Sequence, residues 1–173
     1  MVDQHKHAFA ALRATQEKPY HFVDSGLPNV YLIGVDYRVC KECGAQSADI
    51  PAIKSLMTVI GREIVSKEAP LTGEEIRFLR KRLGKSAADF GRIIGPTQEQ
   101  VSRWENNHNP PSESADKLIR VFYCHLSGDA ILRQKINRHI EEWLSTLPGE
   151  ERIDSFRAKL HKREWTAETV AST

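Results

Sequence analysis

The stretch GRIIGPTQEQVSRWENN, residues 91–107, decides the fold. It begins apolar with helical spacing, breaks at Gly95-Pro96, and resumes as a polar helical segment. With Ala87 as the first residue of a unit of about twenty, every constrained position of a helix-turn-helix is suitably filled. Gly91 stands where two steeply crossed helices must approach backbone to backbone. Gly95 stands at the turn, where a positive φ favours glycine. Phe90, Ile94, Val101 and Trp104 then supply the apolar contacts that lock the crossing angle. Together these positions carry far more information than any single glycine.

What remains is the outer face of the second helix: Thr97, Gln98, Glu99, Gln100, Ser102 and Arg103. A protein core has no use for such a face, but double-stranded DNA does. Glutamine bonds adenine bidentately and arginine does the same to guanine. Thr97, Gln98, Glu99, Gln100 and Arg103 are therefore the candidate base contacts. Lys85, Arg92, Ser102, Asn106 and Asn107 are the candidate phosphate contacts, with His108 also placed to reach the DNA backbone. A helix N-terminus adds free amides and a positive dipole end for phosphate. The competing reading, a solvated face of a helical bundle, explains the polarity but not the turn pattern beside it. The cluster Arg80, Lys81, Arg82 and Lys85 has a plainer role as well. Cations closing a helix C-terminus stabilise it by about 0.3–1 kcal/mol through the dipole.

Working outward, EEIRFLRKRL places Ile76, Leu79 and Leu83 on one helical face, and Thr72 with Glu75 forms a capping box before it. Ser86 and Thr97 are caps for the next two helices. A further helix follows Asn109-Pro110-Pro111, and Cys124 within it reads as a small core residue. Leu132, Ile136, Ile140, Trp143 and Leu147 make a continuous stripe on the next helix. That stripe serves equally as a dimer surface or as packing within its own subunit. On the N-terminal side, Ile53, Leu56, Met57, Ile60 and Ile64 fall at helical spacing after Pro51. Before them, VYLI and VDYRV flank Gly34 and read as a hairpin, preceded by the turn tract SGLPN.

These elements divide the 173 residues into four segments: a flexible arm over 1–18, a small β unit with its linking helix over 19–68, a helix-turn-helix domain with helical extension over 69–149, and a tail over 150–173. In the tail, Ile153, Phe156 and Leu160 form a short amphipathic piece. The expected class is mainly α, with a small α+β N-terminal unit. A net charge of +2 neither demands nor forbids a nucleic-acid partner. No apolar run approaches the roughly 20 residues of a membrane span, and the N-terminus lacks the pattern of a secretion signal. No membrane is expected as a partner, and the cytoplasm is the expected compartment. Three cysteines, only two of them close together, do not make a disulfide framework. No phosphate loop, nucleophile elbow or H-E-x-x-H run is present, so an enzyme is not expected.

IRFLRKRLGKSAADFGRIIGPTQEQVSRWENNHNPP resembles the helix-turn-helix domain of the XRE regulators of the Cro type. The resemblance rests on Leu79-Arg80, Gly84, Ser86, Phe90-Gly91, Gly95, Thr97, Val101-Ser102 and Trp104-Glu105. It implies a lambda-repressor-like bundle that binds DNA. Two positions depart from the family pattern. Ala87 replaces a glutamine that bonds phosphate, and Pro96 replaces an apolar residue.

Cys40 and Cys43 form a C-x-x-C knuckle at the end of a predicted strand, which is half of a structural zinc site. The run from Tyr20 through Gly84 is similar to antitoxins of the MqsA type, which join an N-terminal zinc-binding β unit to an XRE-type domain. That resemblance implies a zinc-ribbon-like unit, with Cys40 and Cys43 as metal ligands and zinc as the one candidate cofactor. The second C-x-x-C of that group is absent, and Ser25 stands where some members have cysteine. His5, His7 and His21 are the nearby substitutes. The alternative is a metal-free knuckle packed on its own small core. A redox pair fits less well, since the knuckle follows a strand instead of opening a helix.

The sequence therefore points to a sequence-specific DNA-binding regulator, a repressor or autorepressor, acting as a homodimer on a palindromic operator through residues 97–107. The second resemblance adds a toxin protein as partner of the N-terminal unit. The alternatives are a stand-alone or prophage-type repressor, and a protein-interaction module without DNA binding.

Overall fold

A computed structural model describes residues 8–145, 157–161 and 164–168 of the chain. It resolves into two compact units, one through residue 137 and one from residue 138. In the first, five short strands precede a run of helices. The strands are β1 (Phe9–Arg13), β2 (Tyr20–His21), β3 (Tyr31–Leu32), β4 (Asp36–Cys40) and β5 (Gln46–Ala48). β1, β4 and β5 form an antiparallel sheet in that order, while β2 and β3 make a separate two-stranded ribbon.

Two sequence expectations are corrected here. Residues 9–13, expected within a flexible arm, are a strand paired along its length with β4, Phe9 opposite Cys40 and Arg13 opposite Asp36. The expected hairpin across Gly34 does not form: Leu32 pairs back to Tyr20, and Tyr37 pairs with Leu12. Gly34 is still a turn residue, with φ 80°, but its amide donates to the Ala14 carbonyl at 2.8 Å. The two runs diverge because each takes its strand partner from the N-terminal segment, β3 from β2 and β4 from β1. Tyr20, Phe22, Leu32 and Ala14 form a small core that the predicted hairpin would open.

That small core leans on Leu56 and Met57 of α1 (Ile53–Ser66), which also pack against the main core. The β unit is thus continuous with the helices that follow, and no division falls near residue 68. Those helices are α2 (Gly73–Arg82), α3 (Ala87–Ile94), α4 (Gln98–Glu105), α5 (Glu113–Leu126) and α6 (Ala130–Ser145). Four starts carry caps that the sequence indicates or repeats: the Thr72–Glu75 box, Ser86, Thr97 and Ser112. A fifth cap is Asp129, whose Oδ1 accepts from the amides of Ile131 and Leu132 at 3.0 and 3.3 Å.

The main core is built from Ile76, Leu79, Phe90, Val101 and Ile119, all at most 1% exposed, with Trp104 and Tyr123 beside them. Cys124 lies in it as expected, and burial pushes its thiol up to about 11. Leu132 and Ile136 of the expected stripe pack into this same core. The side chains of Ile140 and Trp143, and all of Leu147, lie outside the described residues. In the second unit, residues 157–161 and 164–168 are strands β6 and β7, paired antiparallel with Leu160 opposite Trp165. The amphipathic tail is thus a strand at Leu160, and Ile153 and Phe156 lie outside the described residues.

Candidate nucleic-acid interface

α3 and α4 meet across a three-residue turn, and two glycines set their geometry. A Cβ on Gly91 would stand 2.5 Å from the Pro96 carbonyl oxygen, so the helix and the turn touch backbone to backbone. Gly95 has φ 108°, which closes α3 and frees the chain to start α4 at once. Pro96 occupies the turn, and Thr97 follows as the N-cap, its hydroxyl accepting from the Gln100 amide at 3.2 Å. On the inner side Phe90, Ile94, Val101 and Trp104 are all buried, so the apolar lock expected from the sequence is in place.

A polar lock joins the other end of α4 to α2. Glu105 is only 6% exposed, and its carboxylate accepts from Arg80 Nε and Nη2 at 2.5 and 2.8 Å. Arg77 Nη2 donates to the Glu105 carbonyl and to Asn106 Oδ1, both at 2.8 Å. The guanidinium of Arg80 is held more firmly protonated by these bonds to Glu105. Asn107 has φ 56°, and its Oδ1 accepts from the first amide of α2, Gly73, at 2.8 Å. Its Nδ2 donates to Glu74 at 2.8 Å. α4 is therefore fixed at both ends and along its inner face, which leaves one face outward.

That face carries Thr97, Gln98, Glu99, Ser102 and Arg103, all exposed, with Gln100 half-buried. The structure brings the five candidate base residues together on one helix of eight residues and its cap. Thr97 is partly spent, because its hydroxyl caps the helix. Glu99 lies in the first turn, where its own backbone amide and the Thr97 hydroxyl hold its carboxyl below the usual range. A shallow hollow between α3 and α4 is lined by Ala88, Gly91, Arg92, Pro96 and Gln98. A second one, along α4, is lined by Gln98, Glu99, Ser102, Arg103, Asn106 and His108.

The candidate phosphate residues fare unequally. Arg92 is exposed at the edge of the first hollow and pairs with Asp89 one turn back. Ser86 first, and Arg92 second, hold the Asp89 carboxyl low. Lys85 is half-buried, and its carbonyl accepts from Arg80 Nη1 at 2.7 Å. Ser102 is exposed beside Arg103. Asn106 is exposed but engaged, donating to the Ser102 carbonyl at 2.8 Å while accepting from Arg77. Asn107 is committed to the start of α2. Sequence reasoning missed this bracing role of Asn106, Asn107 and Glu105. A run of two asparagines after a helix is a signal for end-capping that applied here. Of the basic cluster, Arg80 is structural, its guanidinium bonded to Glu105 and to the Lys85 carbonyl.

At the N-terminal knuckle Cys40 is buried in β4 and Cys43 is exposed in the following turn. His21 does not approach them, since its Nε2 lies 3.0 Å from the Pro28 carbonyl oxygen and its ring stacks on Tyr31. His5 and His7 lie outside the described residues. Among the described residues no three histidine, cysteine or acidic side chains are grouped as a metal site needs. Two thiolates fall short of the four ligands of structural zinc, so the described residues do not fit that metal. Among the described residues no helix is long and apolar enough to cross a membrane.

Residues 76–128 match a protein-family model described as helix-turn-helix, spanning α2 from its first turn through the end of α5. No curated protein matches the chain. Geometry and match agree that this segment is a helix-turn-helix domain of the XRE kind, the architecture of DNA-binding regulators.

Proposed function

We propose that the chain, through its XRE-type domain, is a sequence-specific transcriptional regulator that binds a palindromic operator as a homodimer, with α4 in the major groove. The observation that carries this reading is the contrast between the two sides of α4. Its inner side is locked by Trp104, Val101 and Glu105, while its outer side offers Gln98, Glu99 and Arg103 to solvent with Gln100 half-buried beside them. One such helix reads only a few base pairs, and two related by a two-fold axis read both half-sites, roughly 34 Å apart. Leu118 and Leu126 of α5 and Ile131 of α6 support a dimer, since they leave apolar surface at 36%, 45% and 60% exposure. Bound upstream of a promoter, such a dimer represses by occupying the DNA.

Selection from random duplexes, followed by sedimentation of the complex, tests this. The proposal predicts inverted half-sites and two chains per duplex. A single unrepeated site bound by one chain would contradict the dimer, and no enrichment at all would contradict DNA reading.

A second reading adds a protein partner, as in an antitoxin that holds its toxin with the N-terminal unit. Val23, Tyr31 and Ile33 of the β unit favour it, being 60%, 56% and 60% exposed. Co-purification with the product of an adjoining gene tests it; recovery of the regulator alone would count against it.

A further inference from the structure

We propose that Asn109 is a positioning residue for base recognition, holding Arg103 by Nε so that its two terminal amino groups face the edge of a guanine. This rests on the reading of α4 as the recognition helix. Arg103 Nε donates to Asn109 Oδ1 at 3.3 Å. Among the described residues no acceptor takes the hydrogens of Nη1 or Nη2, and the side chain borders the open hollow along α4. Asn109 is itself half-buried and precedes Pro110. The His108 amide donates back to the Arg103 carbonyl at 3.0 Å, which folds the loop against the end of the helix. The acceptor is thus held within reach of the guanidinium.

The chemistry of the acceptor matters. Guanine presents O6 and N7 as two neighbouring acceptors, which the paired terminal N–H groups of arginine match. A carboxylate at position 109 would orient the guanidinium equally well but cancel its charge, as Asp89 does for Arg92. An amide oxygen orients it and leaves the charge for the DNA. A side chain already held in place also loses less rotamer freedom on binding.

The test uses the full chain and the duplex it selects from a random pool. Affinities for that duplex and for each of its single-base-pair variants are read by fluorescence anisotropy. Arg103→Ala is expected to lose roughly tenfold of discrimination at one G·C pair. Asn109→Ala is expected to lose about 2- to 10-fold at that same pair, with other positions and the salt slope unchanged, and to add nothing in the Arg103→Ala background. Asn109→Asp restores the acceptor, so it should recover discrimination there while lowering affinity for every duplex. Asn109→Ser serves if the alanine variant melts early. A loss spread evenly over all base pairs, or one that persists without Arg103, would overturn the proposal and make Asn109 a structural loop residue. If Arg103→Ala left every base preference as in the wild type, the assignment of Arg103, and this proposal with it, would fall while DNA binding stood. Absence of any selected duplex would overturn both.

Discussion

The Glu105 carboxylate receives two hydrogen bonds from Arg80, so the last residue of α4 is bolted to the helix two elements earlier. Both side chains are largely buried, at 6% and 12% exposure. A buried ion pair adds little net stability over an apolar pair, yet losing one partner strands the other. Glu105→Ala should therefore cost about 3–5 kcal/mol in denaturant unfolding, and Arg80→Ala less, because Arg77 Nε still stands 3.4 Å from the Glu105 carboxylate. The double variant should be less destabilised than the sum of the two. Full additivity in such a cycle would show that the pair does not couple α2 to α4.

Trp104 carries the apolar half of the same attachment. Trp104→Ala should destabilise the domain by about 3–5 kcal/mol, since it empties a large ring from the core. A variant as stable as the wild type would mean that this ring does not support α4.

Gly91 permits the close contact of α3 with the turn. A methyl group there would meet the Pro96 carbonyl at 2.5 Å, and backbone cannot yield as a flexible side chain does. Gly91→Ala should cost about 1–3 kcal/mol and weaken DNA binding further by tilting α4. Crystallography or chemical-shift mapping of the variant would show whether the displacement is confined to residues 95–105.

The Arg62–Asp129 pair makes stability depend on acid. Arg62 Nε and Nη2 donate to the Asp129 oxygens at 2.6 and 3.1 Å, and these bonds first, with the α6 amides, hold the carboxyl below its usual range. A carboxyl depressed in the folded state binds its proton more readily when unfolded. Its contribution is complete above the unfolded value of about 3.9 and is lost as pH falls through the lower folded value. Asp129→Asn should destabilise the protein at pH 7 by about 1–3 kcal/mol and flatten the stability profile below pH ~4. Parallel profiles for the variant and the wild type would show that other carboxylates carry the acid response.

The helical half was legible in the sequence because its signals are local. Caps at Thr72, Ser86 and Thr97, glycines at 91 and 95, and apolar residues at helical spacing each act within a few residues of themselves. The pairing of the strands was not legible, because partners such as Leu12 and Tyr37 are far apart in the chain and compete with nearer ones. Within the site, the outward residues of α4 followed from helical periodicity alone. The bracing of α4 against α2 by Asn106 and Asn107 did not, since it depends on where the first turns of α2 come to lie.

Whether the outer face of α4 reads DNA can be decided by one comparison. Fluorescence anisotropy of the wild type, Gln98→Ala and Arg103→Ala would be read against the selected duplex and an unrelated one, at two salt concentrations. If α4 is the reading helix, each substitution weakens specific binding by about 1–3 kcal/mol. Binding to the unrelated duplex is then weak and steeply salt-dependent, and the substitutions change it far less than they change specific binding. Unchanged specific affinity in both variants, with the protein folded, would contradict that role of α4 and move the reading surface elsewhere on the chain.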